Sequence, residues 1–150
     1  MQARLFYSTE VEWTGARHGN LTAQSLPALL VDAPPEFKGH EGTWTPEHLF
    51  VGAVSSCFMT TFLAIAENSK LDFASFKTTA RGTLEQTEGR GLAITEIVLH
   101  PTLTIKQRSD YERAGRILAK AEKHCLIANS AKTQIRLEPE IHLTDDSSQR

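Results

Sequence analysis

Apolar residues recur with two different periods along this chain, and the change between them divides it into elements. From Leu49 to Ala66 no position is charged, an 18-residue run that reaches the length of a membrane-crossing helix. The run nevertheless holds Gly52, Ser55, Ser56, Thr60 and Thr61, and neither an aromatic belt nor a cationic stop flanks it. It reads as the central helix of a soluble protein, apolar on every side and buried. Thr45-Pro46-Glu47 marks its start. Thr45 can cap, Pro46 suits the first helical position because its missing N–H would be orphaned there anyway, and Glu47 complements the positive end of the dipole. Asn68-Ser69-Lys70 reads as its stop. A second helix opens on Ser109-Asp110-Tyr111-Glu112, which fits a capping box. Tyr111, Ala114, Leu118, Ala121 and Cys125 then recur at spacings of three and four, so Cys125 faces inward near that helix's end.

The remaining segments follow the shorter, strand-like period. Arg4 to Trp13 alternates irregularly, and Leu21 to Val31 is β-prone but interrupted by Pro27. Phe73 to Thr87 and Leu92 to Lys106 flank Glu88-Gly89-Arg90-Gly91, a hairpin turn. Gln134 to Leu143 places Ile135, Leu137, Ile141 and Leu143 on one face, and Pro139 inside it predicts an edge position or a bulge. Asp145 to Arg150 is a polar tail. No repeat or low-complexity linker interrupts this order. The expected fold class is α+β, with antiparallel sheets packed around the long buried helix, in a single domain covering residues 1–150. One such domain cannot enclose a helix of some twenty residues on all sides. The economical cover for the free face is the same helix from a second copy, so a homodimer is expected.

Composition narrows the functions. A hydrophobic share of 40% with 23% charged residues excludes general disorder. Sixteen Lys and Arg against eighteen Asp and Glu, a net charge of −2, argues against a nucleic-acid partner and a polybasic membrane anchor. Two cysteines cannot make a disulfide framework, and the segment Met1-Gln2-Ala3-Arg4-Leu5-Phe6 lacks the apolar core of a signal peptide. A cytoplasmic location is expected.

The two cysteines are the first candidates for chemistry. A free cysteine is commonly just a small buried hydrophobe, but Cys57 and Cys125 sit on inward faces of the only two expected helices. Cys57 lies about three turns past its cap, where the helix dipole has faded, so acidifying its thiol calls for a cation from elsewhere. Cys125, at a helix C-terminus, suits a resolving thiol better than an attacking one. His48 and His124 stand beside key positions, but no tight Cys-x-x-Cys pair supports a zinc site. His18, His40, His100 and His142 are scattered and read as solvated. Gly89-Arg90-Gly91 is a turn rather than a phosphate cradle.

Thr45-Pro46-Glu47-His48-Leu49-Phe50, then Ser55-Ser56-Cys57-Phe58, with His124-Cys125 late and Asn129-Ser130 just after, resembles the OsmC/Ohr family of organic hydroperoxide reductases. The resemblance covers nearly the whole chain, including element order and both cysteine positions. It implies an OsmC-like fold, an intertwined homodimer with active sites at the subunit interface, and thiol peroxidase activity. Cys57 matches the peroxidatic cysteine, Cys125 the resolving one, and Glu47 the glutamate that holds a catalytic arginine. Gly15-Ala16-Arg17-His18-Gly19 resembles the loop that supplies this arginine in the Ohr branch, which makes Arg17 the candidate. The slot used in the OsmC branch reads Glu36-Phe37-Lys38-Gly39 and offers only Lys38. The chain also departs from the family in having Thr45 before Pro46-Glu47 and Leu126 after the second cysteine.

The chemistry so implied has a definite order. Arg17, steered by Glu47, favours the Cys57 thiolate and polarises the peroxide. Attack releases an alcohol and leaves a sulfenic acid, with which Cys125 condenses to a disulfide. No bound cofactor or metal is expected, and an external dithiol, in the Ohr branch a lipoylated protein, reduces the disulfide by exchange. Phe50, Phe58, Met59 and Phe62 could line an apolar substrate pocket, although ordinary core packing is the commoner explanation for most such residues. Glu47 and Cys57 are ten residues apart, ~15 Å along one helix, so a Glu47 working beside Cys57 should come from the second subunit. The alternative function is a non-enzymatic module that binds an apolar ligand at the dimer interface.

Overall fold

A computed structural model of the chain describes residues 3–144. The polar segment Asp145–Arg150 and the extreme N-terminus, both read from the sequence, lie outside the described residues. The chain divides into two compact units, one ending at Phe50 and the other beginning at Val51.

The first unit is a three-stranded antiparallel sheet in the order β1-β2-β3, formed by β1 (Glu10–Gly15), β2 (His18–Thr22) and β3 (Leu29–Asp32). The two segments read as long strands are thus three short ones. Gly15-Ala16-Arg17-His18, expected as a loop, is the tight turn joining β1 to β2, with Gly15 paired to His18. Pro27 lies in the connection between β2 and β3, where its missing N–H breaks no ladder. Beyond β3 a 3₁₀ turn at Pro35–Phe37 closes a compact loop, and Val31 bridges to Trp44.

The central helix α1 (Pro46–Asn68) has the predicted bounds. The backbone N–H of His48 donates to Thr45 Oγ1 at 3.0 Å, which is the N-cap bond read from the sequence. By length and composition α1 could cross a membrane, with a mean hydropathy of 2.0, yet only 22% of its most apolar window is buried in the chain. A single chain therefore covers one side of α1, as the sequence leads one to expect before a second copy is counted. One stripe, Val54, Phe58, Phe62 and Ala66, is buried, while Met59 and Leu63 are exposed, because a single sheet covers a single side.

In the second unit that side packs on a long hairpin, β4 (Phe73–Thr87) and β5 (Gly91–Ile105). The Phe62 ring stacks on Phe76 at 4.6 Å and meets Phe73 edge-on at 5.4 Å, within the range of favourable aromatic pairs. Gly82 admits this approach: a Cβ there would lie 2.8 Å from Val51 Cγ2. The inner face of β5 adds Ile97, Leu99, Leu103 and Ile105, and α2 (Tyr111–Lys123) adds Ala114, Leu118 and Ala121.

The last predicted strand is two strands. β6 (Gln134–Leu137) and β7 (Glu140–Leu143) are separated at Glu138-Pro139 and both run parallel to β5. Proline cannot donate to a ladder, and the sheet resolves this by breaking the strand rather than bulging it. The α+β class holds, with a mixed rather than wholly antiparallel second sheet.

Candidate functional site

The sulfurs of Cys57 and Cys125 are brought together by α1 and by the chain beyond α2. The sequence placed Cys125 at the C-terminus of the second helix, but α2 ends at Lys123. There Asn129 Nδ2 donates to the Lys123 carbonyl at 3.2 Å, satisfying one of the orphaned acceptors of a helix end. Cys125 follows in extended conformation and is the N-cap of a four-residue turn, α3 (Leu126–Asn129). The expected capping box also does not form. Ser109 lies in a 3₁₀ turn ahead of α2, the Asp110 carboxylate pairs instead with Arg113 at 3.0 Å, and Tyr111 is exposed rather than inward.

The two thiols have different surroundings. Cys125 is fully buried, and its Sγ donates to the Val54 carbonyl of α1 at 3.8 Å. Burial, followed by proximity to Cys57, pushes its thiol up to about 11 despite backbone N–H groups of α3. Cys57 is half-buried, and its Sγ lies 3.9 Å from Thr61 Oγ1 one turn along α1. Burial opposes ionisation of Cys57. The Ile127 N–H, the Cys125 thiol, the Thr61 hydroxyl and the Leu126 N–H together outweigh it, so the thiol sits below the ordinary value. All four of these groups are neutral. The inference that only a cation could acidify Cys57 is therefore corrected: amides of α3, one of them on Leu126 where a proline would have none, do part of that work.

Arg17 occupies the exposed β1–β2 turn, and its Nη1 donates to the Phe37 carbonyl at 3.4 Å. It forms no ion pair among the described residues. Glu47, in the first turn of α1, has an enclosed Oε1 without a hydrogen-bond partner, so within one chain Arg17 and Glu47 are not joined. Lys38 is exposed and ends the 3₁₀ turn in left-handed conformation. Of the four candidate pocket residues, Phe58 and Phe62 are core, packed on β4, while Phe50 is half-buried and Met59 exposed.

Sequence reasoning missed Asp32. It is 2% exposed, and its carboxylate accepts from Ala33 N at 2.7 Å and from His40 N and Nδ1 at 3.0 Å. Burial works against the carboxylate, but these bonds win and hold its pKa below the usual value. The clasp fixes the loop that presents Phe37 and Lys38, and Gly39 is required in it because a Cβ would fall 1.5 Å from the Ala33 carbonyl. The available signal was Asp32-Ala33-Pro34-Pro35, an aspartate opening a proline turn. His40 is accordingly paired rather than merely solvated. His18, His48, His100 and His142 also have partners, in Thr14, Thr45, Glu138 and Glu140.

The chain carrying these features matches a known class. The family model described as OsmC-like protein matches residues 39–140, and the chain belongs to that family. An OsmC-like protein of unknown function from Vibrio cholerae is 25% identical, with a TM-score of 0.84 over 91% of this chain and 99% of that one. The organic hydroperoxide resistance protein OsmC of Legionella pneumophila has the same fold, at 23% identity and a TM-score of 0.72, covering 93% and 99% of the two chains. The uncharacterized protein YmaD of Bacillus subtilis is 26% identical over 136 residues, 87% of this chain and 89% of its own.

Proposed function

We propose that this protein is a cysteine-based peroxidase that reduces organic hydroperoxides to alcohols. The observation that carries the reading is the unequal setting of two neighbouring sulfurs: Cys57 is half-buried with its thiol below the ordinary value, while Cys125 is fully buried against the Val54 carbonyl and held as a thiol. That is the division of labour between an attacking and a resolving cysteine. The Cys57 thiolate attacks the terminal oxygen of the hydroperoxide and the O–O bond breaks. The carbon-bound oxygen leaves as alkoxide and takes up a proton to give the alcohol, and the transferred OH makes Cys57 a sulfenic acid. The Cys125 thiol then condenses with it, forming the disulfide and releasing water. An external dithiol, such as a lipoyl group on a protein, restores both thiols by exchange. The organic hydroperoxide resistance protein of Legionella pneumophila supports the choice of substrate class.

Arg17 is assigned to polarising the peroxide, and Glu47 to holding that guanidinium. The unpartnered Oε1 of Glu47 supports a hydrogen-bonding cation partner, since an enclosed polar oxygen without one is costly. The exposed apolar side of α1 supports a homodimer in which antiparallel copies of this helix bring Glu47 of the second copy toward Cys57. Light scattering should give twice the chain mass of 16.6 kDa at micromolar concentration, and a stable monomer would defeat this part of the proposal.

The activity itself is tested by thiol-dependent consumption of cumene hydroperoxide against hydrogen peroxide, with the organic substrate expected to be faster. Mild peroxide should join Cys57 to Cys125 within one chain. Cys125→Ser should instead stop at the Cys57 sulfenic acid or beyond. Mass spectrometry finding both thiols free after peroxide has been consumed would refute the mechanism. No consumption at all would favour the apolar-ligand module.

A further inference from the structure

Four hydroxyl side chains lie along the middle of α1, and three of them do the same thing. Ser55, Ser56 and Thr60 each donate to the carbonyl three residues back, at Gly52, Ala53 and Cys57, over 3.1–3.3 Å. This back-bonding is the ordinary fate of a hydroxyl inside a helix. Thr61 departs from it. Its Oγ1 lies 3.9 Å from the Cys57 sulfur and makes no such bond to its own helix.

We propose that Thr61 is a positioning residue for Cys57, its hydroxyl donating to the sulfur when Cys57 is a thiolate. The spacing of four residues puts both side chains on one helical face, and the β-branch of threonine restricts χ1, so the hydroxyl is carried to the sulfur at little entropic cost. Thr60 donates to the Cys57 carbonyl, whereas the Thr61 hydroxyl is turned toward the Cys57 sulfur instead of following that pattern to the Phe58 carbonyl. Besides Arg17 and the Glu47 of the second copy, which the proposed homodimer would bring toward Cys57, the groups facing it are the Cys125 thiol and the N–H groups of Ile127 and Leu126. Cys125 is the one titratable group among these three, and it is held as a thiol to about 11. The lower of the two thiol titrations of the intact protein therefore belongs to Cys57. A hydroxyl that also lowers the Cys57 pKa fits the same assignment.

This inference deepens the peroxidase reading through that reading's own nucleophile, and its test does not depend on peroxide turnover. The full-length protein is titrated by ultraviolet thiolate absorbance and by the pH dependence of iodoacetamide alkylation of Cys57. Thr61→Val keeps the shape and removes the donor. It should raise the Cys57 midpoint by about 0.5–1 pH unit, roughly a three- to tenfold loss of thiolate below that midpoint. Thr61→Ser, which keeps a hydroxyl but not the branch, should bring the midpoint most of the way back to the wild-type value, a response that a packing role would not give. An unchanged midpoint in Thr61→Val overturns the proposal, as does a raised midpoint that serine fails to restore. If Thr61→Val does not fold, Thr61→Ala against Thr61→Ser decides by the same criteria. A wild-type protein that consumes no peroxide yet shows the shift would refute the peroxidase reading and leave Thr61 in its role.

Discussion

Arg17→Ala is expected to slow organic hydroperoxide reduction by about 10²–10³, the usual effect of removing one preorganised donor from a developing anion. The neutral donors around Cys57 can favour its thiolate, but none of them carries a charge to the leaving oxygen. The loss should therefore appear mainly in the step with peroxide, and less in alkylation by a neutral reagent. The turn holding Arg17 is exposed and its guanidinium makes one hydrogen bond among the described residues, to the Phe37 carbonyl, so stability should hardly change. Stopped-flow kinetics on Arg17→Ala and Lys38→Ala separates the two cations. Unchanged turnover in the first and collapse in the second would move the role to Lys38, whose loop is clasped by Asp32.

Phe62→Ala should be the most damaging substitution for the fold itself. The ring is fully buried and contacts Phe76 and Phe73 at 4.6 and 5.4 Å, so its removal leaves a cavity between α1 and β4. A loss of about 3–5 kcal/mol follows from such truncations, and calorimetry should show a melting temperature lower by roughly 10 °C or more. A loss below about 1 kcal/mol would mean that this contact does not anchor the helix to the hairpin.

Where one strong local signal decided an element, the sequence was legible. Thr45-Pro46-Glu47 and Glu88-Gly89-Arg90-Gly91 placed α1 and the β4–β5 hairpin because caps and turns are chosen by neighbouring residues. Gln134 to Leu143 misled because alternation carries no information about parallel or antiparallel pairing, and Pro139 could as well break a strand as bend it. Both cysteines were legible as candidates, yet the basis of their inequality was not. It depends on how deeply Cys125 is buried, on α3, a four-residue turn too short to leave a periodic pattern, and on backbone N–H groups, which every sequence contains. Asp32 escaped for a related reason: its three donors come from main chain and a histidine eight residues on.

The position of Cys125 in the crossover between β5 and β6 has a kinetic consequence. The β4–β5 hairpin closes across a short turn, whereas the parallel pairing of β5 with β6 needs the intervening chain, α2 and α3 included, to fold back first. Contacts of that sequence separation bear the larger loop-closure cost and form more slowly. The hairpin that receives Phe58 and Phe62 is thus local, while Cys125 reaches the Val54 carbonyl only through the non-local part of the topology. Pairing of the two sulfurs accompanies completion of the chain's slowest contacts, and a nascent chain that has folded no further than the hairpin keeps them apart.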